Sequence, residues 1–206
     1  MFARINSMGL LGVDGFMVDV EADLSQGLPG FDVVGLPGAA VKESRDRVRA
    51  AMKNSGFAYP VSRITVNLAP ADIRKEGSVY DLPLLLALLR ASGQLNAQVD
   101  DSAFVGELSL TGDVPGVLPM VIAARDHGLK RAFIPAENAA EGAVVDGIRV
   151  YPVPTLSVLL EHLTGLAAIQ PLEPVEFQPG QDPGTPDFAD VMGQAAARRA
   201  LEIAAA

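Results

Sequence analysis

The chain has 206 residues, 49% hydrophobic and 20% charged, a balance that predicts a folded protein with a full core and excludes a disordered one. It contains no cysteine and only two histidines, His127 and His162, which excludes disulfides, thiolate zinc sites, cysteine catalysis and a histidine metal centre. A net charge of −9 argues against a general nucleic-acid binder, because that affinity comes from clustered lysine and arginine.

Strands and helices alternate along the first part of the chain. Residues 16–24 alternate apolar and acidic side chains with period two, which is typical of a half-buried strand, and residues 31–36 form a second such run. A Gly-Leu-Pro-Gly turn connects the two runs, so we expect an antiparallel hairpin. A helical period then predicts a helix over 39–55 that ends at Gly56, followed by a strand over 62–68.

The same alternation continues to residue 163. An apolar helix is predicted over 81–92, with burial on most sides and with Asp81 as its expected N-cap. The remaining elements are strands over 103–110, 132–135 and 148–153, a turn over 111–113, and helices over 117–127, 137–141 and 156–163.

The composition changes after residue 165. Five prolines and two glycines fall between residues 171 and 186, and such a stretch cannot hold a helix or a central strand. The sequence therefore predicts a globular domain over 1–165, a linker over 166–186 and the start of a second domain over 187–206. The Ala-rich end of the chain has the composition of a strong helix.

Three blocks of sequence carry a resemblance to a known family. They are GLPGAAVKESRDRVRAA at 35–51, NLAPADIRKEGSVYDLP at 67–83 and DFADVMGQAAARRALEIAAA at 187–206. Over nearly its whole length the chain resembles the ComM family, also called YifB, of magnesium-chelatase-like competence proteins. The resemblance implies an α+β fold like the proteolytic domain of Lon, a mixed sheet with helices packed on it. It also implies that an AAA+ module begins at 187–206, with its ATP-binding loop beyond the last residue.

The resemblance further implies a function for the whole protein. The best understood members are implicated in natural transformation, where a hexameric, ATP-driven motor is thought to move branched DNA as a branch-migration helicase. The sequence shows no signal peptide and no apolar run of membrane-spanning length, so we expect a cytoplasmic protein. The full-length protein would use ATP and Mg²⁺, whereas this chain would be a non-catalytic N-terminal domain without cofactor, metal or catalytic residue of its own. Its partners would be its own AAA+ module, other subunits and DNA, with no membrane. The alternative is an accessory domain of a magnesium-chelatase-like or protein-remodelling ATPase without a nucleic-acid role.

The similarity to Lon raises the question of proteolysis, which in Lon needs a serine activated by a neutral lysine. When the block after residue 105 is aligned with that family, Leu118 stands at the lysine position and Tyr80 at or near the serine position. Ser78 lies two residues away, so a shifted register could supply a serine. No register supplies a base, because residues 117–121 contain no basic side chain. We therefore expect no proteolysis.

A basic face is predicted on the helix over 39–55. Spacings of three, four and four residues place four cations on one side, opposite an apolar stripe that we expect to meet the core. This face could contact a phosphate backbone or the ATPase module, or it could be an ordinary solvated surface. Its members, which we call the basic face throughout, are Lys42, Arg45, Arg49 and Lys53.

A polar loop precedes the apolar helix. Arg74 and Lys75 could reach DNA or a neighbouring domain from this loop, or the loop could serve only to connect and cap the helix. The glycine-rich stretches 9–15 and 27–38 lack the residue order of a phosphate-binding loop, and we interpret them as turns.

Overall fold

The computed structural model describes residues 1–108, 114, 116–174 and 190–205 of the chain. These residues fall into two units, 1–175 and 176–206. The strands of the first unit are β1 Phe2–Leu11, β2 Asp14–Ser25, β3 Gly30–Val34, β4 Arg63–Ala69, β5 Ser102–Phe104, β6 Arg131–Pro135 and β7 Arg149–Val153. They form one mixed sheet in the order β3-β4-β2-β1-β5-β6-β7.

Helices pack on this sheet, which confirms the expected α+β class. The first unit contains α1 Ala39–Asn54, α2 Asp81–Ala91, α3 Val117–Asp126, α4 Ala139–Gly142 and α5 Leu156–Leu163, with a 3-10 turn at Ala136–Asn138. Each of the predicted long helices agrees with the structure to within one residue at either end. The second unit contains α6 Ala195–Ala205. No helix in the described ranges has both the length and the apolar composition required to cross a membrane.

The predicted hairpin between the second and third strands is wrong. Strand β4 lies between them, antiparallel to β2 and parallel to β3. The hairpin partner of β2 is β1, which pairs with it from Phe2 opposite Asp23 to Leu11 opposite Asp14. We did not predict β1, because the glycine-rich stretch 9–15 was interpreted as a turn. Gly9 lies in β1 and Gly15 in β2, and the turn itself is Gly12 and Val13. A short connection favours a hairpin, but here both β2 and β3 pair with β4, which lies farther along the chain.

Helix α2 is the centre of the core. Ten of its eleven residues are buried, and it packs against β1, β2 and α1. Such a helix needs an apolar side chain in nearly every direction, which explains the run of leucines from Leu84 to Leu89. The one charged residue buried in it is Asp81, which is 1% exposed.

Stacked aromatic rings connect the strands β5, β6 and β7. Phe133 on β6 stacks on Phe104 of β5 at 4.8 Å and on Tyr151 of β7 at 4.7 Å, between ring centroids. His162 of α5 tilts against Phe133 at 5.3 Å, and burial lowers its pKa. Strand β5 ends at Phe104, earlier than the predicted residue 110, and the predicted turn over 111–113 lies outside the described residues.

The chain stays attached to the sheet after α5. The amide of Ile169 donates to Nδ1 of His162 at 3.0 Å, and the amide of Leu172 donates to the carbonyl of Val150 at 2.8 Å. The first part of the expected linker over 166–186 is thus held against β7 and α5, and residues 175–186 lie outside the described residues. The division into domains over 1–165 and 187–206 stays a prediction.

Candidate functional site

Tyr80, the residue expected at or near the position of a Lon-type serine, is packed in the core. Tyr80 precedes α2 and is 2% exposed, and burial raises the pKa of its phenol. Its hydroxyl lies so close to Gly9 of β1 that a Cβ there would overlap it, and the same Cβ would lie 2.8 Å from Cζ of Phe16. The phenol is thus packed against β1 beside Gly9 and the ring of Phe16.

The residue expected at the position of a Lon-type lysine is also packed. Leu118, in the first turn of α3, lies against the core, and its amide donates to Oε1 of Glu141 at 2.9 Å. Beside it, the main chain of Pro119 touches the hairpin so closely that a Cβ at Gly15 would lie 2.5 Å from the Pro119 carbonyl carbon. The hairpin and α3 therefore meet backbone to backbone, which leaves no room for a substrate chain between them.

From this geometry we expect no peptidase activity that depends on Ser78. A serine hydroxyl without a neighbouring base is a weak nucleophile at neutral pH, so Ser78→Ala is expected to leave hydrolysis of a fluorogenic casein at the background rate of the wild type. Ser157→Ala, which removes an exposed hydroxyl on α5, is the matched control. Hydrolysis above background in the wild type that Ser78→Ala alone abolishes would overturn this expectation.

The structure places the basic face on the solvent side of α1. All four of its cations are exposed, and the opposite stripe is buried, as the helical period predicts. Arg45 pairs with Asp46 at 3.8 Å, but the two side chains are 53% and 87% exposed, so this pair contributes little. The guanidinium of Arg49 lies 5.6 Å from the ring centroid of Tyr59. The cations of the basic face are therefore accessible to a partner.

Arg74 and Lys75 have opposite environments. Arg74 is exposed and forms an ion pair with Glu76 at 3.0 Å. Lys75 is completely buried, and its Nζ donates to the carbonyls of Pro70 and, at 2.7 Å, Ile73. The expectation that Lys75 contacts DNA or another domain is therefore wrong. Its ammonium instead binds main-chain carbonyls of its own loop, and burial lowers the pKa of the ammonium.

A buried ion pair joins α1 to α2, and sequence reasoning missed it. Nε of Arg47 donates to Oδ2 of Asp81 at 2.6 Å and Nη2 donates to Oδ1 at 2.9 Å, the two-pronged geometry typical of strong pairs. Nη2 also donates to the carbonyl of Ala40 at 2.8 Å. Asp81 is thus not the expected N-cap, since it lies in the first turn of α2 and points to α1. The sequence feature that could have indicated this pair is an acidic residue in the first turn of a mostly apolar helix.

The ionisation of Asp81 is set by opposing influences. Burial raises the pKa of the carboxyl, and the hydrogen bonds from Arg47 and from the amide of Leu108, at 3.3 Å, act in the other direction without cancelling the rise. For its part, the hydrogen bond to Asp81 raises the pKa of Arg47, so the guanidinium stays charged. The pair therefore holds together two helices and the segment after β5.

A cleft of about 720 Å³ opens beside this ion pair. It lies past the carboxyl ends of the parallel strands β5, β6 and β7, a usual place for ligands in such sheets. Apolar side chains line most of it, and its carboxylates are Asp46, Glu107 and Glu137, after which we call it the acidic cleft. Within the described part of the chain, no group of three or more His, Asp or Glu could hold a metal ion.

Comparison with known proteins identifies relatives over nearly the whole chain. The family model for subunit ChlI of Mg-chelatase matches residues 20–138. The competence protein ComM of Haemophilus influenzae is 41% identical over 99% of this chain and 41% of its own length. The protein YifB of Escherichia coli is 40% identical over 98% of this chain and 40% of its own length. The chain thus spans about two fifths of the length of these relatives.

A more distant similarity connects the chain to Lon. The Lon protease of Mycolicibacterium smegmatis is 26% identical over 80% of this chain and 22% of its own length. This similarity agrees with the expected Lon-like fold. It covers the region of Tyr80 and Leu118, where we expect the positions of a Lon-type dyad, and neither side chain has the chemistry of that dyad.

Proposed function

Because the chain belongs to the magnesium-chelatase ChlI family that includes ComM and YifB, we propose that it is the N-terminal domain of a ComM-like ATPase that acts on branched DNA. In this proposal the full-length protein hydrolyses ATP with Mg²⁺ as a cytoplasmic hexamer and serves as a branch-migration helicase. The domain itself supports assembly of the motor or its coupling to DNA.

The proposed DNA contact is based on the basic face of α1. In a chain of net charge −9, four exposed cations on one helix face form a local positive surface that can meet a phosphate backbone. Weak ion pairing leaves these cations available, because an exposed pair such as Arg45 with Asp46 is screened by water and salt. Arg74 is an additional exposed cation that could join the same contact.

The double change Arg45→Glu and Arg49→Glu in the full-length protein tests this proposal. We expect weaker binding to branched DNA, weaker DNA-stimulated ATP hydrolysis, and a decrease of about two in the slope of log K against log salt, because each lost phosphate contact removes about one unit. The fold should persist, since a solvated face tolerates changes in charge.

The matched control is Lys130→Glu with Arg149→Glu, which changes the net charge equally at two exposed positions next to and on the strands β6 and β7. We expect this control double variant to bind branched DNA nearly as well as the wild type. Equal losses for the two double variants, or no loss for either, would contradict a specific role of the basic face.

The acidic cleft favours a second candidate, an accessory domain of a magnesium-chelatase-like or protein-remodelling ATPase without nucleic acid. Asp46, Glu107 and Glu137 repel DNA and suit a basic protein segment instead. ATP hydrolysis by the full-length protein that does not respond to branched DNA at any salt concentration would favour this candidate.

A further inference from the structure

One histidine side chain holds the chain after it leaves α5. His162 lies in α5, and its Nδ1 is 3.0 Å from the amide nitrogen of Ile169. The side chain of Ile169 packs against the core, and farther on the amide of Leu172 donates to the carbonyl of Val150 at 2.8 Å. These contacts hold residues 168–174, which we call the strap, against α5 and β7.

The hydrogen bond from Ile169 requires a neutral imidazole. An amide N–H can only donate, so Nδ1 of His162 accepts and the ring carries its single proton on Nε2. Protonation of the ring places a second proton on Nδ1, and two donors then face each other across the same gap. A charged ring therefore loses this hydrogen bond and repels the amide. The bond between Leu172 and Val150 joins two main-chain groups and does not titrate.

The surroundings of the ring favour its neutral form. His162 lies against the rings of Phe133 and Tyr151, at 5.3 and 5.5 Å between centroids. Burial lowers the pKa of His162, and the charge of Arg131 on β6 lowers it further. The neutral ring that the strap needs is thus the form that the fold stabilises.

The other charged groups near the ring are on three elements. Side chains alternate along a strand, so the register of β6 and β7 places Arg131 and Arg149 on the face that carries the stacked rings. Nε of Arg131 donates to Oδ1 of Asp101 at 3.0 Å. The carboxylates are Glu161, beside the histidine in α5, and Glu173 in the strap, and both are exposed.

We propose that His162 is a proton-sensitive clasp: its neutral ring holds the strap against α5 and β7, and its protonated ring loosens the strap. The clasp opens below about pH 6.5, the ordinary pKa of a histidine, because the pKa of His162 is lowered. Its contribution to stability is present above that pH and is lost as pH falls through the folded-state pKa. The strap is the last described part of the first unit, so loosening it lengthens the connection toward the second unit. This clasp goes beyond the proposed function and does not depend on DNA.

Hydrogen exchange of the Ile169 and Leu172 amides, followed by NMR on the full chain, tests the clasp. Protection of both amides, corrected for the pH dependence of intrinsic exchange, should be about tenfold lower with the ring protonated than at about pH 7.5. This factor corresponds to the loss of about one hydrogen bond. The decrease should follow the titration of His162, read from the proton on Cε1 of its ring.

Two variants separate the hydrogen bond from the packing of the ring. His162→Phe keeps an aromatic ring without an acceptor, so the strap should be about tenfold less protected at every pH. His162→Asn keeps a side-chain acceptor without a titrating group, so protection should not change with pH. His127→Phe, at the C-terminal end of α3, is the control and should leave the pH dependence of the Ile169 amide unchanged.

Unchanged protection of the strap while the ring titrates would overturn the clasp, and so would a ring that stays neutral down to the pH at which the whole chain unfolds. A pH dependence that persists in His162→Phe would also overturn it and would assign the effect to a carboxylate such as Glu173. Each of these results would leave the DNA contact of the basic face untouched.

Discussion

Replacing Arg47 by alanine is expected to lower the free energy of unfolding by about 3–5 kcal/mol, the usual cost of breaking a buried pair from one side. The loss is large because Asp81 is 1% exposed and would keep its charge in the core with no cation beside it. Denaturant titration of the wild type and the variant measures the difference.

The matched control is Arg45→Ala, two residues earlier in the same helix. Arg45 is exposed and pairs only weakly with Asp46, so its removal should change stability by less than about 0.5 kcal/mol. Similar costs for the two variants would show that the ion pair between Arg47 and Asp81 contributes little to stability.

The cost of removing Arg47 is also expected to depend on pH. Burial already raises the pKa of Asp81, and without Arg47 that rise is less opposed, so the pKa in the folded variant increases further. A carboxyl whose folded-state pKa is raised favours folding below its unfolded pKa and loses that contribution as pH rises through the folded value. The stability difference from wild type should therefore be smaller near about pH 4 than near about pH 7.

Replacing Gly15 by alanine is expected to cost about 3 kcal/mol, because the added methyl group has no space. A Cβ at this position would overlap the carbonyl oxygen of Pro119 and lie 2.9 Å from the amide nitrogen of Met120. Both belong to the main chain of α3, which cannot rotate away as a flexible side chain would. The change should therefore separate the β1–β2 hairpin from α3.

Gly30→Ala serves as the control for Gly15→Ala. It also adds a methyl group to a strand glycine, but the nearest atom to a Cβ there is the carbonyl oxygen of Leu28, at 3.8 Å. We expect a change within about 0.5 kcal/mol. Thermal or denaturant unfolding compares the two variants, and a cost below about 1 kcal/mol for Gly15→Ala would show that the contact between hairpin and α3 yields easily.

These two contacts lie on either side of the core of the first unit, between α1 and α2 and between the β1–β2 hairpin and α3. The hairpin and α3 are in close main-chain contact beside Leu118, and two accessible surfaces of the first unit lie beside α1. One side of α1 carries the basic face, and Asp46 and Arg47 border the acidic cleft. A single helix thus separates a surface suited to anions from a cleft suited to cations.

The sequence by itself determined what depends on neighbours along the chain. The helices over 39–55, 81–92, 117–127 and 156–163 were predicted to within a residue from local signals, such as the helical period and closing Gly56 of the first and the continuous apolar run of the second. The exposure of the basic face followed from the same period, since its cations stand opposite Val41 and Val48 in α1. The ComM-like identity was also readable, because it depends on contiguous blocks of residues.

Only the tertiary structure decided which distant residues meet. It inserted β4 between β2 and β3, buried Lys75 under its own loop, and joined Arg47 to Asp81 across 34 positions. A hairpin, an exposed lysine and an N-cap are each favoured locally. Each was overruled because pairing a strand or satisfying a buried charge contributes more free energy than a local preference, and the partners that provide it become neighbours only when the chain folds.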